Sequence, residues 1–122
     1  MPKYWVVGAS WGGKDDQTEL FLRRGYWQLG WSDEEQPNMA KLREQIGPND
    51  RIAIKQMLGQ GSPNIKIKAL GIVKEVDTND KRVYVNWLLG NLNREVPGRG
   101  CFGSIHGPFF EEDNWVKEVF SI

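Results

Sequence analysis

Three tryptophans stand beside glycines or turns: Trp11 in "GASWGG", and Trp27 and Trp31 in "YWQLGW". An indole offers a broad flat face and one N–H donor. Stacking a nucleic-acid base on such a ring contributes on the order of 1–3 kcal/mol. A base enclosed by two rings must leave its duplex, which costs roughly a few kcal/mol. Trp27 and Trp31 lie four residues apart across Gly30. On an extended strand they point the same way, because side chains alternate. A bend at Gly30 aims them at one another instead. Either geometry lets two indoles flank a planar ligand, and the glycines around Trp11 let backbone approach it closely. The competing use of the rings is a packed core. That use fits Trp5, Trp87 and Trp115 best, because they fall inside strand or helix patterns. Tyr26 and Leu29 also suit the core.

Other chemistry is sparse. His106 is the only histidine and Cys101 the only cysteine. A structural zinc site takes four Cys or His ligands, and a catalytic one usually three protein ligands. Zinc is therefore not expected, and neither is an intrachain disulfide. A Ser-His-acid or Cys-His centre has only His106 to draw on, in the loop "SIHGPFF". A restriction-type nuclease needs an acid two residues before a lysine to hold a metal and position water. No lysine of this chain has one. "GASWGG" lacks both phosphate-loop spacings, and Asp15 and Asp16 follow Lys14 closely. No cofactor is implied.

Composition sets the frame. The 122 residues suit one domain spanning 1–122. Apolar residues make up 39% and charged residues 26%, as in ordinary soluble domains. No run approaches the ~20 apolar residues of a membrane span. The opening residues turn polar too soon for a signal peptide, so the expected location is cytoplasmic. Sixteen basic residues balance sixteen acidic ones. No net field draws polyanions, so nucleic-acid binding must rest on a local patch and on stacking.

The elements that would position these rings follow from pattern. "KYWVVGA" at 3–9 reads as a strand ending in a turn at 10–13. "DDQTELFLRR" reads as a short helix, with Asp16 and Glu19 at capping-box spacing and Gly25 as its stop. "YWQLGW" is a short strand or extended segment. Met39, Leu42 and Ile46 recur at helical spacing, so "MAKLREQI" is a second helix. Strands follow at "RIAIKQM", "IKIKALGIVKEV" and "RVYVNWLL" in a meander, with a flexible loop at 59–64 and a bulge or bend at Gly71. Residues 90–108 read as loop, with a short strand at 101–106. A last helix covers "EEDNWVKEVF", capped at Asp113 or Asn114. The expected class is α+β: a mixed sheet of about five to six strands curling into a barrel, with two or three short peripheral helices.

The stretches "YWVVGASWGG", "GYWQLGW", "NDRIAIK" and "IKALGIV", in this order, resemble the EVE-like domains of the PUA-like superfamily. The likeness spans roughly Tyr4 to Trp87. Related modules stand at the N-terminus of Mcr-type AAA+ modification-dependent restriction proteins. The resemblance implies a curved PUA-like β-barrel without catalytic activity. It implies a pocket that recognises a modified, methylated or hydroxymethylated base in an aromatic cage. The cage positions correspond here to Ser10, Trp11, Trp27 and Trp31. Lys55 is placed to reach the pocket rim or a phosphate. Arg23, Arg24, Arg51, Lys66 and Lys68 are candidates for contacts to the phosphate backbone, which position a protein without specifying sequence. The expected partner is modified DNA or RNA, with a separate nuclease or ATPase as effector and no membrane. Two other readings compete: a small-molecule-binding or hydrolytic protein using His106 and Cys101, and a protein-interaction module presenting exposed tryptophan.

Overall fold

The β-branched run at the start of the chain forms β1 (Tyr4–Gly8), whose three central residues are fully buried. A small ribbon of β2 (Ser10–Trp11) and β3 (Asp15–Asp16) follows, turned by Gly12 and Gly13, both with positive φ. Then come α1 (Thr18–Arg24), β4 (Tyr26–Gln28), α2 (Pro37–Arg43), β5 (Arg51–Met57), β6 (Asn64–Asp77), β7 (Arg82–Leu89), β8 (Arg94–Pro97), β9 (Ile105–Phe109) and α3 (Asn114–Phe120). These belong to a computed structural model that describes residues 2–59 and 61–122. Gln60, within the loop expected at 59–64, lies outside the described residues.

The main sheet runs β4-β7-β6-β5-β1-β9, with β8 paired to β6 off that path. It is mixed. β1 and β5 are parallel, while β5, β6 and β7 form the expected antiparallel meander. The sheet curls into a half-barrel with three short helices, the α+β class read from the sequence. Side-chain alternation divides its apolar residues between two clusters. Trp5, Val7, Ile52, Ile54 and Trp27 enter one, and Val6, Ala53, Ile65 and Ile67 the other. α1 contributes Phe21 to the first cluster, and α3 contributes Val116 and Val119 to the second.

Gly71 is the bend. The β6–β7 register shifts between Leu70 and Gly71. A Cβ at position 71 would lie 2.4 Å from Val85 Cγ1 and 2.8 Å from Trp87 Cε3. Only glycine lets the two strands close there.

Several local readings are corrected. Asp16 does not cap α1, whose N-cap is Gln17. Pairing of β3 with β2 holds Asp16 in extended backbone, and its Oδ1 accepts from Thr18 N (3.0 Å) and Thr18 Oγ1 (2.6 Å). α2 starts at Pro37 rather than Met39, since proline suits a first helical turn, and Ile46 packs into the core beyond its end. Within 90–108, β8 forms where loop was expected, because Arg94–Pro97 pairs along Asn64–Ile67. The last strand is Ile105–Phe109 rather than 101–106, set by pairing with β1. Asp113 caps α3 by accepting from Trp115 N (3.0 Å).

The fit at Gly71 yields a measurable cost. Gly71→Ala should destabilise the fold by about 1–3 kcal/mol, the usual cost of overpacking. Thermal unfolding should show a melting temperature several degrees lower; an unchanged value would contradict the close packing of β6 on β7.

Candidate ligand-binding site

β1 ends at an open cavity of about 590 Å³. Gly8, Ala9 and Ser10 form one wall, the end of β5 another, and the 102–104 loop a third. Trp31 reaches in from the segment before α2, and Met39 from α2 itself. Hydrogen bonds fix this frame. Gly8 N donates to Ser104 O (2.9 Å), and Trp27 Nε1 donates to Gly8 O (2.9 Å). Trp31 Nε1 donates to Ser104 Oγ (3.2 Å), which ties the indole to the opposite loop. Trp31 remains 40% exposed, and Met57 and Phe102 on the same rim are also exposed. Among the described residues, neither Trp31 nor Phe102 packs its ring against another aromatic ring. Their faces are not consumed by internal stacking.

Of the pocket residues named from the sequence, Ser10, Trp31 and Lys55 line this one cavity. Trp27 does not join them as a wall. It is 0% exposed, within the core, and acts from behind through its bond to Gly8 O. Trp11 is also displaced. Its ring packs edge-on to Phe21, with centroids 6.0 Å apart, and lies over Gly30. A Cβ at Gly30 would meet Trp11 Cδ1 at 2.4 Å. The bend at Gly30 therefore makes room for Trp11 instead of aiming Trp27 at Trp31. Trp11 Nε1 is buried without a hydrogen-bond partner.

The proposed backbone-contacting cations lie elsewhere. Arg23 and Arg24 are exposed at the end of α1. Arg51 lines a separate groove beside α3, and Lys66 and Lys68 are half-buried on β6. None of the five lines the Trp31 cavity, whereas Lys14 does. Sequence reasoning missed Lys14, Met39, Met57, Phe102 and Ser104. The one available signal was the glycine-rich stretch around Cys101, which supplies Phe102 and Ser104.

Lys55 is the unusual polar group. It is only 7% exposed, and among the described residues its Nζ has just the Met57 sulfur at 3.7 Å as an acceptor. Burial pushes this amine below the ordinary lysine range, with Cys101 opposing. Burial, with Lys55 adding to it, also lowers His106, whose Nε2 accepts from Gly103 N (2.8 Å). Burial pushes the Cys101 thiol up, against the pull of Lys55 and Arg99. Near neutral pH His106 and Cys101 are therefore uncharged. Among the described residues no group of three or more His, Cys, Asp or Glu side chains is placed to hold a metal ion. No helix among them is long and apolar enough to cross a membrane.

No family model, curated protein or solved structure matches this chain. Geometry separates the fully buried Trp27 from the partly buried Trp11. Trp27→Phe removes the bond to Gly8 O and should cost about 1–3 kcal/mol. Trp11→Phe removes a donor that has no partner, so it should cost clearly less. Denaturant unfolding of both variants decides this, and equal losses would contradict the roles given to the two rings.

Proposed function

We propose that this chain is a non-catalytic nucleic-acid-binding module that takes a modified, flipped base into the Trp31 cavity. One observation carries the reading. Trp31, 40% exposed, lines a cavity that sets the apolar side chains of Met39, Met57 and Phe102 among polar ones such as Ser10, Lys55 and Gln56. The volume falls within the range usual for small-ligand sites. Trp31 and Phe102 supply flat faces, while the side chains of Ser10 and Gln56 supply polar atoms for a base edge. The resemblance to EVE-like domains points the same way, although the rings are used differently. Trp31, with Phe102, takes the stacking role, and Trp11 and Trp27 hold the frame.

The site also supports recognition over turnover. His106 Nε2 already accepts a backbone N–H, and the Cys101 sulfur is buried with its thiol form favoured. Neither is poised as a base or a nucleophile. A module of this kind reads a mark in DNA or RNA and leaves the chemistry to a separate nuclease or ATPase. Balanced charge suits it, because affinity then depends on the base more than on the phosphates.

Fluorescence titration tests the reading. Oligonucleotides of DNA and RNA would carry 5-methyl-, 5-hydroxymethyl- or 5-carboxylcytosine, N6-methyladenine or no modification. One modified strand should quench tryptophan emission at lower concentration than its unmodified control. Trp31→Ala and Phe102→Ala should each weaken that binding about fivefold or more, the loss of one stacking contact. If no modified strand outcompetes its control, the base-reading function is wrong. A surface that instead captures protein through Trp31, Met57 and Phe102 would leave every oligonucleotide unbound.

A further inference from the structure

Alternation along β5 places Ala53, Lys55 and Met57 on one side of the sheet. Lys55 stands opposite Ile67 and Met57 opposite Ile65 on β6, and both isoleucines are fully buried. This face calls for an apolar side chain at position 55, yet it carries an amine. The amine is not withdrawn from the ligand's reach. Lys55 lines the Trp31 cavity, and its Nζ would lie 3.6 Å from a Cβ built on Gly8.

Buried ammonium groups are ordinarily paired, because an isolated one loses its hydration without return. Here no carboxylate pairs with it. Among the described residues the ion pairs are Lys3–Asp50, Arg43–Asp33, Lys81–Asp33 and Arg99–Asp113. The titratable and charged groups around Lys55 are Cys101, His106, Lys14 and Asp16. Cys101 and His106 are uncharged near neutral pH. Asp16 is exposed, and its Oδ1 is engaged by Thr18. The chain thus provides a buried amine with no carboxylate partner among the described residues, and an incoming anion would favour its charged form.

We propose that the Trp31 cavity contains an anion subsite at Lys55, so that its ligand carries an anionic oxygen, foremost a carboxylate on the bound base. The base as carrier rests on the function proposed above; the anion subsite itself rests on Lys55. A methyl or hydroxymethyl substituent gives the amine no charge to meet. A carboxyl group forms a charge-assisted hydrogen bond, shorter and stronger than a neutral one. A phosphate offers the same chemistry, so a nucleotide phosphate is the second source of the oxygen.

The test uses the intact protein near neutral pH. Tryptophan fluorescence would follow three oligonucleotides identical except for 5-carboxylcytosine, 5-methylcytosine or cytosine, and inorganic phosphate as a competitor. Wild type should prefer the carboxyl strand over the methyl strand about tenfold or more. Lys55→Met should erase that preference and keep or raise the melting temperature, because methionine suits the apolar face. A purely structural lysine would lower the melting temperature on substitution and leave the preference intact. Gly8→Ala is a second variant. Its added Cβ makes ordinary 3.6 Å contacts with Lys55 and with Gly103 O, so the fold persists while the amine is covered. It too should reduce the preference. Phosphate that competes in wild type but not in Lys55→Met supports the subsite with phosphate as the source. Equal affinity for carboxyl and methyl strands with no phosphate effect overturns the subsite, as does a preference that survives in Lys55→Met. If no modified strand beats its control but phosphate still perturbs Trp31 in a Lys55-dependent way, the base-reading function fails and the anion subsite stands.

Discussion

The Gly8 peptide is the joint on which the cavity hangs. Its N–H is taken by Ser104 O and its carbonyl by the Trp27 indole, each at 2.9 Å. The first bond ties the end of β1 to the 102–104 loop. The second ties it to β4, whose central residue is Trp27. Beside it in the parallel register lies Lys55. Three chain segments, distant in sequence, thus meet at one residue with no side chain. Ser104 then holds Trp31 through its hydroxyl. A shift of Gly8 moves the floor, the far loop and the open indole together.

The same device recurs across the molecule. Trp5 donates to Asp50, Trp87 to Phe21 O and Trp115 to Pro97 O, as Trp27 does to Gly8 O and Trp31 to Ser104. Each bond joins residues at least 18 apart in the chain. A buried indole brings a large apolar area and a single donor that must be met. Meeting it with a distant acceptor turns a packing residue into a directional cross-link. Asp50 extends this pattern, since Trp5 Nε1, Lys3 N and Gly47 N all donate to its buried carboxylate. In a seven-stranded sheet flanked by helices of only seven residues, such cross-links fix where each strand end points.

What could be read in advance follows from how local each determinant is. Period-two patterning is local, so β5, β6 and β7 and the bend at Gly71 were legible. A helix cap is local unless a strand claims the capping residue, which is what β3 does to Asp16. β8 was illegible because a four-residue strand in a polar, proline-bounded stretch is made by its partner on β6. The rings divide in the same way. Trp31 lines the cavity at the end of β1. Trp11 and Trp27 both stand near glycines in sequence, yet one lies over Gly30 and the other points into the core. Their destinations depend on where β1 and α1 pass, and no spacing within "YWQLGW" records that. Phe102 was missed for the same reason: it reaches the rim only because Gly8 holds the loop that carries it.

The distribution of charge shows the same economy. Equal numbers of acidic and basic residues give the surface no overall pull on a polyanion. Most ion pairs here are partly exposed, and such pairs contribute little to stability. Lys55 departs from that pattern in being buried and without a carboxylate. Its burial is a consequence of strand geometry, since the alternation that buries Ala53 also turns residue 55 inward. A leucine or methionine would satisfy that face with no desolvation cost. A lysine there makes sense where the cavity beside it is meant to be filled by something that carries the opposite charge.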